Sequence, residues 1–277
     1  MRMSAPAELL PAEPVPLDYR GVWMRTLRQT PSQTGEPAPE SDDQSWACWL
    51  QTSVWHGDLC VPEPARQARE ALPLATLPPP QLAALTHQGG AVGCTLVEAQ
   101  PEGELCTWVR HADYRPPSLL PDTAWMLFES PDRLIRIGVN EAYTEVWQRL
   151  PDSVGRFRCL AGRDEQGHDN GHRLLVAGAY LLYSRPRQPS WPRGMQPGLS
   201  LFELLMHEPE RAREWLDHEI SFGRLNGEHW CIDASTLPHR EGVTQACRMG
   251  LCEAAGQAWL EDNAGRSAWT VLEWSDV

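Results

Sequence analysis

Tyr19-Arg20-Gly21-Val22-Trp23-Met24-Arg25 opens a run of alternating side chains directly after a segment punctuated by Pro6, Pro11, Pro14 and Pro16. Proline blocks regular structure upstream, so the first strand is expected from about residue 17 to 29. Strand after strand follows, with 13 Trp spread through them against only 4 Phe and 5 Tyr. Trp, Val, Thr and Cys favour a pleated, half-buried surface. The run Ser45–Pro62 reads as a second strand, beyond a polar, Pro-rich loop at 31–44. Further strands are predicted at about 91–100, 104–115, 123–130, 133–140 and 142–149, separated by Pro101-Glu102-Gly103, Pro116-Pro117, Ser130-Pro131-Asp132 and Val139-Asn140-Glu141. Close spacing with turn residues between is the mark of antiparallel meanders that end as sandwiches or barrels.

The pattern changes twice to helix. Residues 64–87 read as one or two short helices broken at Pro73 and at Pro78-Pro79-Pro80, and residues 199–220 have helical periodicity interrupted at Pro209. Strands at about 155–164 and 172–186 precede the second helical stretch. Others at about 221–224, 227–235, 245–254, 257–261 and 267–274 follow it. Two strands, a helical insertion and a meander thus occur twice, a repeat of element order more than of residues. The expected organisation is a flexible leader over 1–16, a first β unit over 17–150 and a second over 151–277 with its own helical insertion.

Composition narrows the function. Twenty-four Lys and Arg against 37 Asp and Glu give a net charge of -13, which repels phosphate backbones and argues against nucleic acid or an anionic membrane as partner. The first 18 residues carry three acids and no apolar stretch suited to a signal peptide. The longest apolar run, Leu174–Tyr183, is too short for a bilayer-spanning helix. The expected compartment is the cytoplasm. Eight cysteines contain no C-x-x-C pair, so they read as small hydrophobes inside strands and not as zinc or redox centres.

Gly21-x-Trp23 at the start of the first strand resembles the opening motif of lipocalin-like (calycin) barrels. The succession Gly21-Val-Trp-Met-Arg25, Trp49-Leu-Gln-Thr52, His56-Gly-Asp-Leu-Cys-Val-Pro62 and Cys106-Thr-Trp-Val-Arg-His-Ala-Asp-Tyr-Arg-Pro-Pro117 is similar to the Hri family. That family comprises poorly characterised cytoplasmic proteins built from lipocalin-like barrels. The resemblance covers roughly residues 17–150. It implies an all-β fold of two lipocalin-like antiparallel barrel or half-barrel units. It also implies that Trp23 plugs one closed end beneath an arginine of the last strand, for which Arg149 is the candidate.

Strand alternation selects the residues that share a face. If Leu105, Thr107 and Val109 face the barrel interior, then His111, Asp113 and Arg115 approach its mouth on the same side. A His and an Asp two residues apart suit a general base or a polar anchor; a strand end emerging into solvent would also carry charged residues. In the second strand His56, Asp58 and Cys60 share a face with Trp46, Cys48, Leu50, Thr52 and Val54. Convergence of two such His-x-Asp pairs could bind a divalent metal, but no metal and no cofactor are expected. His168 and His172 fall in a Gly- and Asp-rich hairpin, and Asp217-His218-Glu219 reads as an exposed helix end.

The expectation is a protein that binds a small, largely apolar molecule in an aromatic-lined barrel cavity. Trp23, Arg25, Trp55, His56, Asp58, Trp108 and Arg115 are the candidate ligand contacts. One alternative is an acid–base enzyme, a lyase, isomerase or hydrolase, using His111 and Asp113. The other is a protein–protein adaptor whose barrels serve as platforms.

Overall fold

The computed structural model describes residues 13–31, 40–68, 71–191, 195, 198–253 and 256–276. The expected leader lies outside them as far as residue 12. Strand dominates the described residues, with only a few short helices, so the protein is all-β. Its first barrel contains β1 (Gly21–Thr30), β2 (Glu40–Asp42), β3 (Trp46–Gln51), β4 (Trp55–Val61), β5 (Gly89–Gln100), β6 (Gly103–Asp113), β7 (Asp122–Ser130), β8 (Arg133–Gly138) and β9 (Thr144–Arg149). All neighbours are antiparallel, and β1 pairs with β9 to close eight strands, with β2 appended to the far end of β1. Closure removes the exposed edges that an open sheet would carry.

The second barrel contains β10 (Phe157–Arg163), β11 (Asp169–Ala177), β12 (Tyr180–Arg185), β13 (Glu219–Asn226), β14 (His229–Ser235), β15 (Thr244–Ala246), β16 (Arg248–Leu251), β17 (Gln257–Asp262) and β18 (Gly265–Ser275). β15 pairs with β14 and β16 with β17, and one residue, Cys247, separates them. Together they occupy one strand position, so this barrel too has eight positions, and it is nearly closed where the first is closed.

Three runs that read as single strands are divided. The run 45–62 folds back at Thr52, where the Thr52 amide donates to the Trp55 carbonyl (2.9 Å) and the Trp55 amide to Thr52 Oγ1 (3.1 Å). The run 172–186 turns at Gly178 (φ +56), where a Cβ would lie 2.0 Å from the Asp152 carbonyl oxygen. The run 245–254 breaks at Cys247.

Each barrel consists of three strands, a helical insertion and five strands. α1 (Glu63–Ala68) and α2 (Pro79–Leu85) fill the first insertion, α3 (Leu201–His207) and α4 (Ala212–Leu216) the second. The registers correspond through the interior layers. Trp23↔Trp49↔Asp58↔Ala91 in the first barrel matches Leu160↔Leu174↔Tyr183↔Ser221 in the second. Trp108↔Asp122 matches Trp230↔Gln245, and Arg136↔Glu145 matches Leu260↔Ser267. Even a β-bulge recurs: Val92/Gly93 opposite Ala112/Arg110, and Phe222/Gly223 opposite Ala234/Ile232. Glycine is required at both, since a Cβ would sit 1.9 Å from the Val109 oxygen or 1.8 Å from that of Cys231.

The two barrels share a third apolar core between them. Outward residues Cys48, Leu50, Leu59 and Val92 meet Cys159, Leu175, Leu182 and Phe222, and the helices add Leu82, Leu85, Leu204 and Trp215. Gly57 makes room for Leu182, whose Cδ2 would lie 2.7 Å from a Cβ there. Glu273 of the second barrel accepts from Thr52 Oγ1 (2.6 Å) and from the Ser53 amide (2.9 Å).

Candidate functional site

The interior of the first barrel is layered. At its closed end Trp23, fully buried, lies beside Trp49 (ring centroids 6.3 Å, 22° between planes) and meets Phe128 edge-on at 5.9 Å. Its Nε1 donates to the Tyr19 carbonyl at 2.8 Å. The Arg149 guanidinium sits 4.6 Å from the Trp23 ring and donates to the carbonyls of Arg20 (3.0 Å) and Asp18 (2.8 Å). The plug and its arginine lid therefore have the expected geometry, and Trp23 is a wall of the barrel end.

Above the plug the interior is ionic. Arg25 bridges Glu145 and Asp42, both at 3.1 Å, and Arg28 reaches Glu145 at 2.8 Å. Asp122 lies between Arg110 (2.6 Å) and Arg136 (3.0 Å), and Arg110 also holds Asp113 at 2.7 Å. Arg136 covers the Trp108 ring at 3.8 Å, and Trp147 Nε1 donates to Glu145 at 3.1 Å. Burial pushes the Asp122 carboxyl up, but the Arg136 and Arg110 guanidiniums outweigh it and hold it below the usual range. Arg25 and Trp108, expected to face a ligand, are committed to this network. All 24 basic residues of the chain are arginines; the planar, multi-donor guanidinium suits such bridging and stacking.

His56 and Asp58 do face this interior, but their face is that of Trp49 and Gln51, because the hairpin at Thr52 reverses the parity expected from a continuous strand. His56 is fully buried, with Nδ1 3.2 Å from Thr95 Oγ1, and its Nε2 has no hydrogen-bond partner among the described residues. Burial, helped by Arg110, pushes the imidazole down to about 3. Asp58 accepts from the Ala91 amide at 2.9 Å, and burial, partly opposed by Arg110, pushes its carboxyl up to about 6.

The His111–Asp113 pair is not formed. Cys106, Trp108 and Arg110 point inward, while Val109 is exposed on the outer face. The bulge opposite Gly93 then inserts one extra residue, His111, so Asp113 returns to the inside while His111 stays outside. His111 packs edge-on against Trp55 at 5.2 Å. Its imidazole is lowered by burial and by Arg173, with Asp169 opposing. Trp55 itself belongs to the core between the barrels, with Arg173 5.4 Å from its ring. Arg115 lies against Gly89 at the mouth and donates to the carbonyls of Gln88 (3.0 Å) and His87 (3.2 Å).

A cavity of about 500 Å³ lies in the second barrel, at the level that the ion network occupies in the first. Leu174, Tyr183, Trp230, Cys247, Leu260 and Trp269 form its apolar walls. Register assigns the corresponding first-barrel residues as Trp49, Asp58, Trp108, Ala124, Arg136 and Trp147. Its rim is polar. Arg185 pairs with Asp217 (2.6 Å) and lies 3.8 Å from Glu219, while Arg240 pairs with Glu219 (2.8 Å) and donates to Gln245 (2.9 Å). Tyr183 hydrogen-bonds His172 Nδ1 at 3.0 Å. Burial pushes the Cys247 thiol up to about 11, which leaves it an unreactive wall. Two wall or rim groups are unsatisfied: Trp230 Nε1 and His239 Nδ1 are buried without hydrogen-bond partners among the described residues. The closed end of this barrel carries a lid of reversed composition, with Arg158 on the first strand 4.2 Å from the ring of Trp274 on the last.

The expected site residues all belong to the first half, and the cavity belongs to the second. Asp217-His218-Glu219 is not an exposed helix end: His218 and Glu219 are buried, and Asp217 and Glu219 line the cavity. A signal for it does exist in the sequence. Trp108 and Trp147 stand 39 positions apart, as do Trp230 and Trp269. In each barrel these two indoles mark the same pair of strands.

Comparison of the chain with protein-family models, with curated proteins and with solved structures returned no match.

Proposed function

We propose that this chain is a binding protein for a small, largely apolar molecule, held in the cavity of the second barrel. The observation that carries this reading is the replacement of interior charge by space. The positions of Arg136 and Glu145 in the first barrel are Leu260 and Ser267 in the second, at the level where the cavity opens. Its volume is that of sites that enclose small molecules, and its apolar and aromatic walls meet a rim rich in charged and polar side chains. The first barrel then serves as a rigid partner that shares a core with the second.

The acid–base alternative through His111 and Asp113 loses its basis, because the two side chains lie on opposite sides of the barrel wall. No helix among the described residues is long and apolar enough to cross a membrane. All eight cysteines are free thiols, which fits the reducing cytoplasm proposed as its setting.

The test is fluorescence titration with N-phenyl-1-naphthylamine, an uncharged apolar probe, alongside native mass spectrometry of the purified protein. Saturable binding of one probe per chain, displaced by any small molecule found to co-purify, is expected. A chain that binds neither probe nor co-purifying molecule would refute the reading.

A further inference from the structure

The charges around the cavity do not cancel. Three carboxylates line it, Asp217, Glu219 and Asp262, against two guanidiniums, Arg185 and Arg240. Both guanidiniums are committed, Arg185 to Asp217 at 2.6 Å and Arg240 to Glu219 at 2.8 Å. His239 also belongs to the lining and adds no charge near neutral pH. Burial and Arg240 hold its imidazole below the usual range, with Glu219 and Asp217 opposing. Its Nδ1, like Trp230 Nε1, is buried within the wall. One negative charge is left over, and it belongs to Asp262.

Asp262 is half-buried and shares the inward face of β17 with Leu260, two residues earlier, so its side chain stands on the cavity side of the strand. Its Oδ1 accepts from the Ala264 amide of its own turn at 2.8 Å, and it forms no ion pair among the described residues. Its charge reaches the wall: after burial, it is what most raises the Cys247 thiol. The first barrel has no side chain at this place. Gly138 stands there, two residues beyond Arg136, and a Cβ would lie 2.2 Å from the Glu141 carbonyl oxygen. That barrel has instead a cation of its own, Arg136, 3.8 Å from the Trp108 ring. The second barrel keeps the indole as Trp230, replaces the arginine by Leu260 and gains a carboxylate.

A carboxylate or phosphate in the cavity would meet this uncompensated charge and no free cation among the described lining residues. A protonated amine would meet an acceptor of opposite charge, and hydrogen bonds to ionised groups are roughly twice as strong as neutral ones. Building on the binding reading above, we propose that the ligand is a protonated amine with an apolar body, its ammonium group held by Asp262 and its body against the walls of Leu174, Leu260 and Trp269. The site then selects an organic cation over its neutral analogue, and both over an anion of similar shape.

Isothermal titration calorimetry at neutral pH with three ligands of one body tests this: 2-(2-naphthyl)ethylamine, which is protonated there, the uncharged 2-(2-naphthyl)ethanol, and 3-(2-naphthyl)propanoate. The amine should bind wild type at least about tenfold more tightly than the alcohol, and the propanoate more weakly than both. Asp262→Asn removes the charge while keeping the shape and the oxygen that the Ala264 amide needs. In that variant the amine should fall to the alcohol's affinity, while the alcohol binds as before and reports an intact cavity. Glu261→Gln makes the same charge change on the outer face of the strand, where Glu261 pairs with Arg248 at 3.3 Å, and should leave the amine's advantage in place. If amine and alcohol bind wild type equally, the inference is overturned and the apolar reading stands. The inference is overturned equally if the propanoate matches the amine or if Asp262→Asn keeps the amine's advantage. Loss of that advantage in Glu261→Gln would also overturn it, assigning the preference to the net charge of the chain. If none of the three binds wild-type protein, both readings fall.

Discussion

Two barrels that share a register through the interior layer, the bulge at Gly93 and Gly223 and one order of strands and helices differ in what occupies that layer. In the first, Asp58, Asp122, Arg136 and Glu145 stand where the second has Tyr183, Gln245, Leu260 and Ser267. The Arg25 position is Gly162, against which Asn170 and His172 pack. The wall is the same, and its contents separate a filled support from a container. The contrast also separates two kinds of vulnerability. A buried ion network is a modest source of stability when whole and a large liability when one member is removed. An apolar cavity, by contrast, tolerates added volume.

The largest effect should come from the closed ends. Trp23→Ala removes a fully buried indole and the seat of Arg149, and should cost about 3–5 kcal/mol in urea denaturation. Leu160→Ala, at the matching position, should cost about 2–5 kcal/mol. A loss below about 1 kcal/mol for Trp23→Ala would show that the plug is not structural.

Next is the ionic layer. Arg136→Leu installs the residue of the second barrel but strands Asp122 with Arg110 alone, and should destabilise by about 3 kcal/mol. Adding Asp122→Gln, again the second barrel's residue at that position, should recover more than half of the loss. Additive losses would mean that the network is not a unit and that the barrels are not interchangeable at this layer.

A smaller effect is the pH dependence that the interior of the first barrel contributes. His56 has a folded pKa near 3, below its ordinary value of 6.5, so between these limits the unfolded chain binds more protons. The stability that the neutral imidazole confers is complete above pH 6.5 and is lost as pH falls toward 3. Asp58 runs the other way: its pKa is raised to about 6 from 3.8, so its contribution is present below 3.8 and lost as pH rises through 6. His56→Gln removes the first dependence alone. Between pH 6.5 and 4.5 wild type should lose about 2 kcal/mol relative to this variant. Parallel pH profiles would place His56 in contact with solvent.

Much of the fold is legible from residues alone, because turn residues and tryptophans recur at the spacing of an antiparallel meander. What escapes has specific causes. Thr52-Ser53-Val54 turns the chain without glycine or proline, so 45–62 reads as one strand and its parity is misassigned. In β6 apolar residues lie on both faces, with Leu105 and Val109 outside and Cys106 and Trp108 inside, so polarity cannot choose between them. The bulge at Gly93 then defeats alternation at the residues where a catalytic pair was expected. Asp217-His218-Glu219 looks solvated because charges usually are, yet Arg185 and Arg240 bring Asp217 and Glu219 to the cavity rim. Barrel closure depends on pairings that no local pattern records, such as β1 with β9.

One titration decides whether the second barrel is the container. Leu260→Trp places bulk in the cavity where the first barrel has Arg136, without touching any residue of the ion network. Binding of N-phenyl-1-naphthylamine should fall at least tenfold in Leu260→Trp while the denaturation midpoint stays close to wild type. Unchanged probe affinity in that folded variant would contradict the assignment of the site.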